Sequence, residues 1–497
     1  MVTDENAAWA ERIVGGAALG DVRRNARGVA VLEALLEHPG ASLTHAAGDD
    51  DAARERYYRH ARSSSVSPDE LLRSGCEATA ADVMRELADG DDVLLVGDTT
   101  SLSYKHSAAR ALGPTSSSRN SQRRGWQVHT VLAMSAQSGE VWGPVEQLWW
   151  SRNPEEHGKK HDRKKRPYDE KESFKWEASA AVATERLVAI RSRTILVTDR
   201  ESDVYEYLVH LLGEDQRFIV RCSWDRRIEE KACGLFESIA AQPVIDEYVL
   251  DIPQKGGRPA RQAHLTMRAS TVKLRPPQNV ASQLPSVPIN IVALTEEDPS
   301  EGCEPVRWIL LTSESVATPE ACRKVVDMYA RRWRIEEFHK FWKSEGMNVE
   351  GLRMTSPENL RRVAVPMAFA AARLMRLRDA VVPPPSRLAP VNAPASLPSK
   401  DEVPNEVPHH NHAASAPCTR ILTPTQWKVL WVGTEKSPPP ETPPTTRWAA
   451  GSIAKLGGFG DTKRTGRPGY RTFITGWLRL MDRCELFVDL AQAGCTF

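Results

Sequence analysis

VLLVGDTT (residues 93–100) and TILVTDRES (194–202) decide how this chain folds. Each opens with an apolar run of strand length and closes on an aspartate followed by polar side chains. Each therefore reads as a buried strand that delivers an acid, Asp98 or Asp199, at its carboxyl end. Between them, Trp126 to Met134 and Val141 to Trp149 read as two further strands, and Ser173 to Ile190 as a helix. Beyond the second stretch, Ser202 to Leu212 reads as a helix and Arg217 to Cys222 as a fifth strand.

Three strands, helix, strand, helix, strand, with acids after the first and fourth strands, is the layout of a ribonuclease-H-like α/β core, a mixed five-stranded sheet with helices. From Ser223 to about Ser315 the pattern changes to short β-rich pieces separated by Gly and Pro, which predicts an inserted antiparallel β subdomain. A long helix is expected from near Pro319. Residues 1–75 read as a helical N-terminal module, because RGVAVLEALL (27–36) has helical periodicity behind the basic cluster Arg23, Arg24 and Arg27. The core spans 76–378. Residues 379–446, with VVPPPS and PPPETPP, read as an extended Pro-rich linker, and 447–497 as a C-terminal helical unit built on the apolar pattern at 477–490.

The 497 residues allow two or three domains, and a net charge of +1 requires that any nucleic-acid surface be patchy. The clearest patch is HGKKHDRKKRP (157–167), a basic loop suited to phosphate. Eight cysteines occur without a CxxC pair, which argues against structural zinc and fits reduced thiols in the cytosol. HHNH (409–412) resembles a metal tract but reads as incidental within the Pro-rich stretch. No signal peptide and no apolar run of about 18 residues is present, so a soluble, cytoplasmic protein without a membrane partner is expected.

The strongest chemical signal is YARRWRIEEFHKFWK (329–343), where Tyr329, Arg332, Glu336 and Lys343 follow at intervals of three, four and seven and share one helix face. A carboxylate among cations and a phenol suits metal and phosphate together; a solvated charged face is the plain alternative. Asp98 or Asp199 alone could be a turn or cap residue. Taken jointly with Glu336, they can hold two hard divalent cations about 3.5–4 Å apart, one at the attacking oxygen and one at the leaving oxygen.

On AALGDVRR (17–24), DTTSLSYKH (98–106), DEKES (169–173), DRESDVYEYL (199–208), FIVR (218–221) and YARRWRIEEFHK (329–340), the chain resembles the insertion-sequence-four (IS4) family of DDE cut-and-paste transposases. The resemblance runs nearly end to end. It implies metal-dependent nicking at transposon ends, hairpin formation and opening, and strand transfer. Asp98, Asp199 and Glu336 would hold two Mg²⁺, for which Mn²⁺ can substitute. It also implies phosphate contacts at Tyr329, Arg332, Lys343 and Arg221. Trp308, in VRWILLTS (306–313), matches the family's stacking tryptophan for a flipped base, and Trp333 could be a second platform; a core role is the stronger alternative for Trp333 than for Trp308.

Arg23, Arg24, Arg27 and Arg62 fall in the part that resembles the end-binding domain, while LGGFGDTKRTG (456–466) and the following helices resemble the dimerisation region. The implied partners are double-stranded DNA with terminal inverted repeats, target DNA, and a second copy in a synaptic homodimer; the implied setting is bacterial. The basic loop, the Pro-rich stretch and TSSSRNS (115–121) depart from the family pattern. Two rivals share these features: a silent end-binding regulator, which predicts a missing acid, and a metal nuclease that cuts without joining.

Overall fold

The computed structural model describes residues 5–116, 122–156, 166–229, 233–252, 260–299, 303–380, 388–390, 415–460 and 468–493. The sheet strands are β1 (Val93–Tyr104), β2 (Arg124–Ser135), β3 (Val141–Trp150), β4 (Thr194–Thr198), β5 (Arg217–Arg221), β6 (Asp246–Ile252), β7 (Arg261–Leu274), β8 (Val287–Glu296), β9 (Arg307–Thr312) and β10 (Leu388–Pro390). The helices that matter below are α1 (Val22–Glu37), α2 (Asp51–Arg62), α3 (Pro68–Glu86), α4 (Lys175–Arg186), α5 (Tyr205–Gly213), α6 (Pro319–Arg331), α7 (Trp333–Lys340), α8 (Pro357–Asp379), α9 (Pro424–Glu435), α10 (Thr446–Leu456) and α11 (Tyr470–Gln492). The result is the expected mixed α/β, ribonuclease-H-like architecture.

Local chemistry explains where the helices begin. Asp21, Ser67, Thr318 and Ser356 each accept a hydrogen bond from a backbone N–H in the first turn of α1, α3, α6 and α8, contributing about 1 kcal/mol per cap. Pro68, Pro319 and Pro357 then occupy first-turn positions where a missing N–H costs nothing. The buried side of α6 carries Cys322, Val325, Val326 and Tyr329, the three-and-four spacing that lays one helix face on the sheet.

The five-stranded core and the β insertion form one ten-stranded sheet, β10-β6-β7-β8-β9-β5-β4-β1-β2-β3, because β9 pairs antiparallel with β5. Two expectations need correction. The domain boundary expected at residue 75 falls inside α3, whose buried Leu71, Leu72, Cys76 and Val83 tie the N-terminal helices to the core. The Pro-rich linker expected over 379–446 is folded from residue 415. There Cys418, Leu422, Trp427 and Leu430 are buried, and Pro424 starts α9 behind a Thr423–Gln426 capping box. Prolines placed at helix starts leave room for a core that their number alone seemed to forbid.

The C-terminal helices pack back on the body. The Trp477 indole N–H donates to the carbonyls of Leu36 (3.0 Å) and Glu37 (3.2 Å) at the end of α1, and Tyr470 lies 4.7 Å from the Phe341 ring. Among the described residues, no helix is long and apolar enough to cross a membrane.

Candidate active site

The two aspartates are brought together by strand register. β1 and β4 are parallel neighbours paired from Val93↔Thr194 to Val96↔Val197, so Asp98 and Asp199 each follow two residues after the last matched pair. Asp98 was expected at the end of its strand; instead β1 runs on to Tyr104, paired with β2 along its whole length. What ends at Asp98 is the parallel ladder. Beyond it the chain of β4 turns away into a short 3₁₀ turn (Arg200–Ser202), and Asp98 to Ser101 of β1 are half-buried there.

Each aspartate is anchored through one oxygen. Asp98 Oδ1 accepts from the Thr99 N–H (2.8 Å), and Asp199 Oδ1 accepts from the Glu201 N–H (2.9 Å), the capping role considered as its alternative. Asp98 Oδ2 also faces His339 Nδ1 at 3.7 Å. Burial pushes the Asp98 carboxyl up, but His339, Arg332 and the Thr99 N–H outweigh it and hold the group below its ordinary value. For Asp199, burial wins and the neighbouring Asp98 charge adds to it, so that carboxyl is raised.

The third acid arrives on the opposite wall. α6 stops at Arg331, Arg332 keeps helical geometry as the joint, and α7 carries Glu336 over the sheet. Arg332 Nη2 donates to Glu336 Oε1 at 2.7 Å, and its guanidinium also lies close enough to bias both Asp98 and Asp199. Tyr329 is buried, with its ring 5.9 Å from the Arg332 guanidinium. Burial raises the Tyr329 hydroxyl pKa against the pull of Arg332 and Arg221. Lys343 falls in a π-helical turn (Phe341–Glu345) and faces Glu350 at 3.8 Å; Glu350 in turn accepts from the Ser103 N–H (2.7 Å) on β1.

The four signature residues thus line one wall, from buried Tyr329 to half-buried Lys343. Arg221, at the end of β5, donates to the Arg307 carbonyl (2.8 Å) and bears on the Tyr329 hydroxyl.

The two tryptophans reverse their expected order. Trp333 is 39 % exposed, whereas Trp308 is half-buried with its ring edge-on to Tyr329 at 5.2 Å. Of the N-terminal arginines, Arg23 and Arg62 are exposed, Arg62 lying over the Tyr58 ring; Arg24 donates to the Leu19 carbonyl, and Arg27 is half-buried.

Most of the basic loop at 157–167, the tract at 409–412 and much of 456–466 lie outside the described residues. Arg166, at the end of that loop, lines a cavity of about 410 Å³ at the same sheet end, with Trp150, Arg152, Lys171, Phe174 and Lys175.

Sequence reading missed His339, although its place one turn after Glu336 made it findable. It also missed the Thr99–His129 pair (2.9 Å), which joins the residue after Asp98 to β2 and has no spacing signal.

The donor set consists of hard carboxylate oxygens, the chemistry that suits a divalent cation such as Mg²⁺. Among the described residues, no three His, Cys, Asp or Glu side chains stand ready as a metal cluster, and Glu336 is turned to Arg332. The fit is therefore one of chemistry and placement.

Two family models match the chain. Residues 6–66 match the model described as Transposase DNA-binding, and residues 159–371 the model described as Transposase DDE domain. The second match contains Asp199 and Glu336 and begins after Asp98. The fold and the matched domains define a polynucleotidyl transferase and endonuclease of the divalent-metal-using kind, with DNA as its partner. The chain is a DDE transposase.

Proposed function

We propose that this enzyme carries out cut-and-paste transposition as a member of the IS4 family, similar to the transposon-five transposase, with Asp98, Asp199 and Glu336 as its metal-holding triad. The observation that carries this reading is the level placement of Asp98 and Asp199 on adjacent parallel strands beneath the helix bearing Glu336, with Arg332 as the shared counter-ion of all three. A bound Mg²⁺ pair would activate an attacking oxygen and stabilise a leaving one.

The chain's own groups do the rest. His339 and the Thr99 N–H fix the Asp98 carboxylate. Arg332, once released by Glu336, offers a fork for a DNA phosphate, and Lys343 and Arg221 extend that cationic wall along the strand. Trp308, packed on Tyr329, is placed to receive a base that leaves the stack during hairpin formation. The N-terminal module, with Arg23 and Arg62 exposed, would bind the terminal repeats, and a second copy would complete the synaptic complex.

The test uses duplexes ending in the inverted repeats, with Mg²⁺ or EDTA, and compares the native chain with Glu336→Gln. Nicks and hairpins on denaturing gels that need Mg²⁺ and vanish in the variant are the expected result. Binding without cutting by the native chain would instead make it a regulator, and nicks without joined products a nuclease.

A further inference from the structure

Trp224 is the most exposed tryptophan of the chain, at 65 %. A single exposed apolar side chain is ordinary on a protein surface, and exposure alone argues nothing. The mounting is what matters. Trp224 stands three residues beyond Arg221, in the turn that leaves β5 at the sheet end where Asp199 leaves β4.

That turn is fastened by one buried acid. Asp203 accepts from the N–H groups of Ser223 (2.6 Å) and Trp224 (3.1 Å) and pairs with buried Arg226, whose guanidinium lies over the Tyr205 ring. The Ser223 hydroxyl donates to the Arg200 carbonyl (3.1 Å), so the backbone under the indole is joined to the residue that directly follows Asp199. The indole is thus held outward on a rigid base beside the acid.

Charge selects the occupant. Exposed Arg227 lies three residues beyond Trp224, half-buried Arg221 three residues before it, and exposed Arg200 is tied to the same turn through its carbonyl and Ser223. The nearby acids have other work: Asp225 accepts from the Phe236 N–H (2.9 Å), and Glu201 pairs with Lys175 (3.3 Å). A flat apolar ring on a segment that carries these cations suits a polyanion with flat faces. We propose that Trp224 is a base-stacking platform for the DNA strand that passes Asp199, distinct from Trp308. This rests on the reading of Asp98, Asp199 and Glu336 as the cutting site.

The test places 2-aminopurine at successive positions across the cut point of an inverted-repeat duplex bound to the full-length protein in Ca²⁺, and measures cutting of the same duplexes in Mg²⁺. The native chain and Trp224→Phe should quench the probe at the same one or two positions. Trp224→Ala should lose that quenching and cut more slowly by on the order of tenfold.

Unchanged quenching and cutting in Trp224→Ala, while Glu336→Gln abolishes cutting, would overturn the platform and leave the active site standing. Loss in both Trp224 variants together with a lowered melting temperature would show a merely structural side chain and would also overturn it. Cutting that survives in Glu336→Gln would sink the active-site reading, whatever Trp224 does.

Discussion

Two arginine–carboxylate clusters hang from the same short helix, α7, and they differ in their charge balance. On the face opposite Glu336, Arg334 and Arg378 meet Glu337 and Asp379, two cations to two anions among the described residues, all but Glu337 buried. Tyr470 adds its hydroxyl to Glu337 (3.2 Å) and its ring beneath Arg378 (3.5 Å). On the face with Glu336, Arg332 bears on Asp98, Asp199 and Glu336 together, with His339 beside Asp98. The balanced cluster is complete without any ligand and staples α8 and α11 to α7. The unbalanced one retains excess negative charge in a partly buried place, which is costly until a cation arrives. One helix therefore separates a structural use of the same chemistry from a functional one.

The largest effect should come from breaking the balanced cluster. Asp379→Ala leaves two buried guanidinium groups short of a partner and should cost about 3–5 kcal/mol, read as a fall in the urea midpoint. Protein of that variant that remains folded should still cut DNA. A variant as stable as the native chain would show that the cluster does not hold the C-terminal helices, and the contrast would collapse.

Arg332→Gln sharpens the other side. It removes the only cation shared by the three acids, so in EDTA it should lower stability by about 1–2 kcal/mol. Mg²⁺ should then raise the melting temperature of the variant more than that of the native chain. Equal shifts in the two proteins would mean that the metal and the guanidinium do not compete for the same carboxylates.

The smallest effect belongs to the N-terminal module, where a buried titratable group is kept uncharged instead of paired. His60 is fully enclosed against Gly28 on α1; burial, with help from the Arg27 charge, lowers its pKa to about 4 from its ordinary 6.5. Between those values the unfolded chain binds a proton that the folded chain refuses, so stability falls as pH drops through this window. At pH 5.5 the loss should be about 1 kcal/mol, and His60→Gln should flatten that part of the pH–stability curve. A slope unchanged in the variant would assign it to other groups.

The parts of this architecture that announce themselves in sequence are those governed by local rules. VLLV and TILVT are buried on both faces and read as strands without help, and the Tyr329–Arg332–Glu336–Lys343 spacing places four side chains on one wall even though the helix is jointed at Arg332. What could not be read depends on partners distant in the chain. β9 joins β5 across about ninety residues, making the core and the insertion one sheet. The packing of Trp477 against the end of α1 gives residues 415–460 and 468–493 a place on the body that their prolines concealed. The Arg332–Glu336 pair was within reach of its i,i+4 spacing; that the same guanidinium also neutralises two strand aspartates was not, because only the fold brings them together.

The fusion of β9 to β5 sets a length scale. β4 carries Asp199 at its end, β5 is its hydrogen-bonded neighbour, and β9, the next strand, carries Trp308. Two strand spacings of about 4.8 Å across the sheet and a two-residue offset of about 7 Å along it separate them, roughly 12 Å, or three to four nucleotide steps along one DNA strand. A hydrogen-bonded sheet has little compliance across its strands, so it works as a ruler. A base resting on Trp308 would be counted off from the scissile phosphate by the width of β5, whatever the letters of the DNA between them.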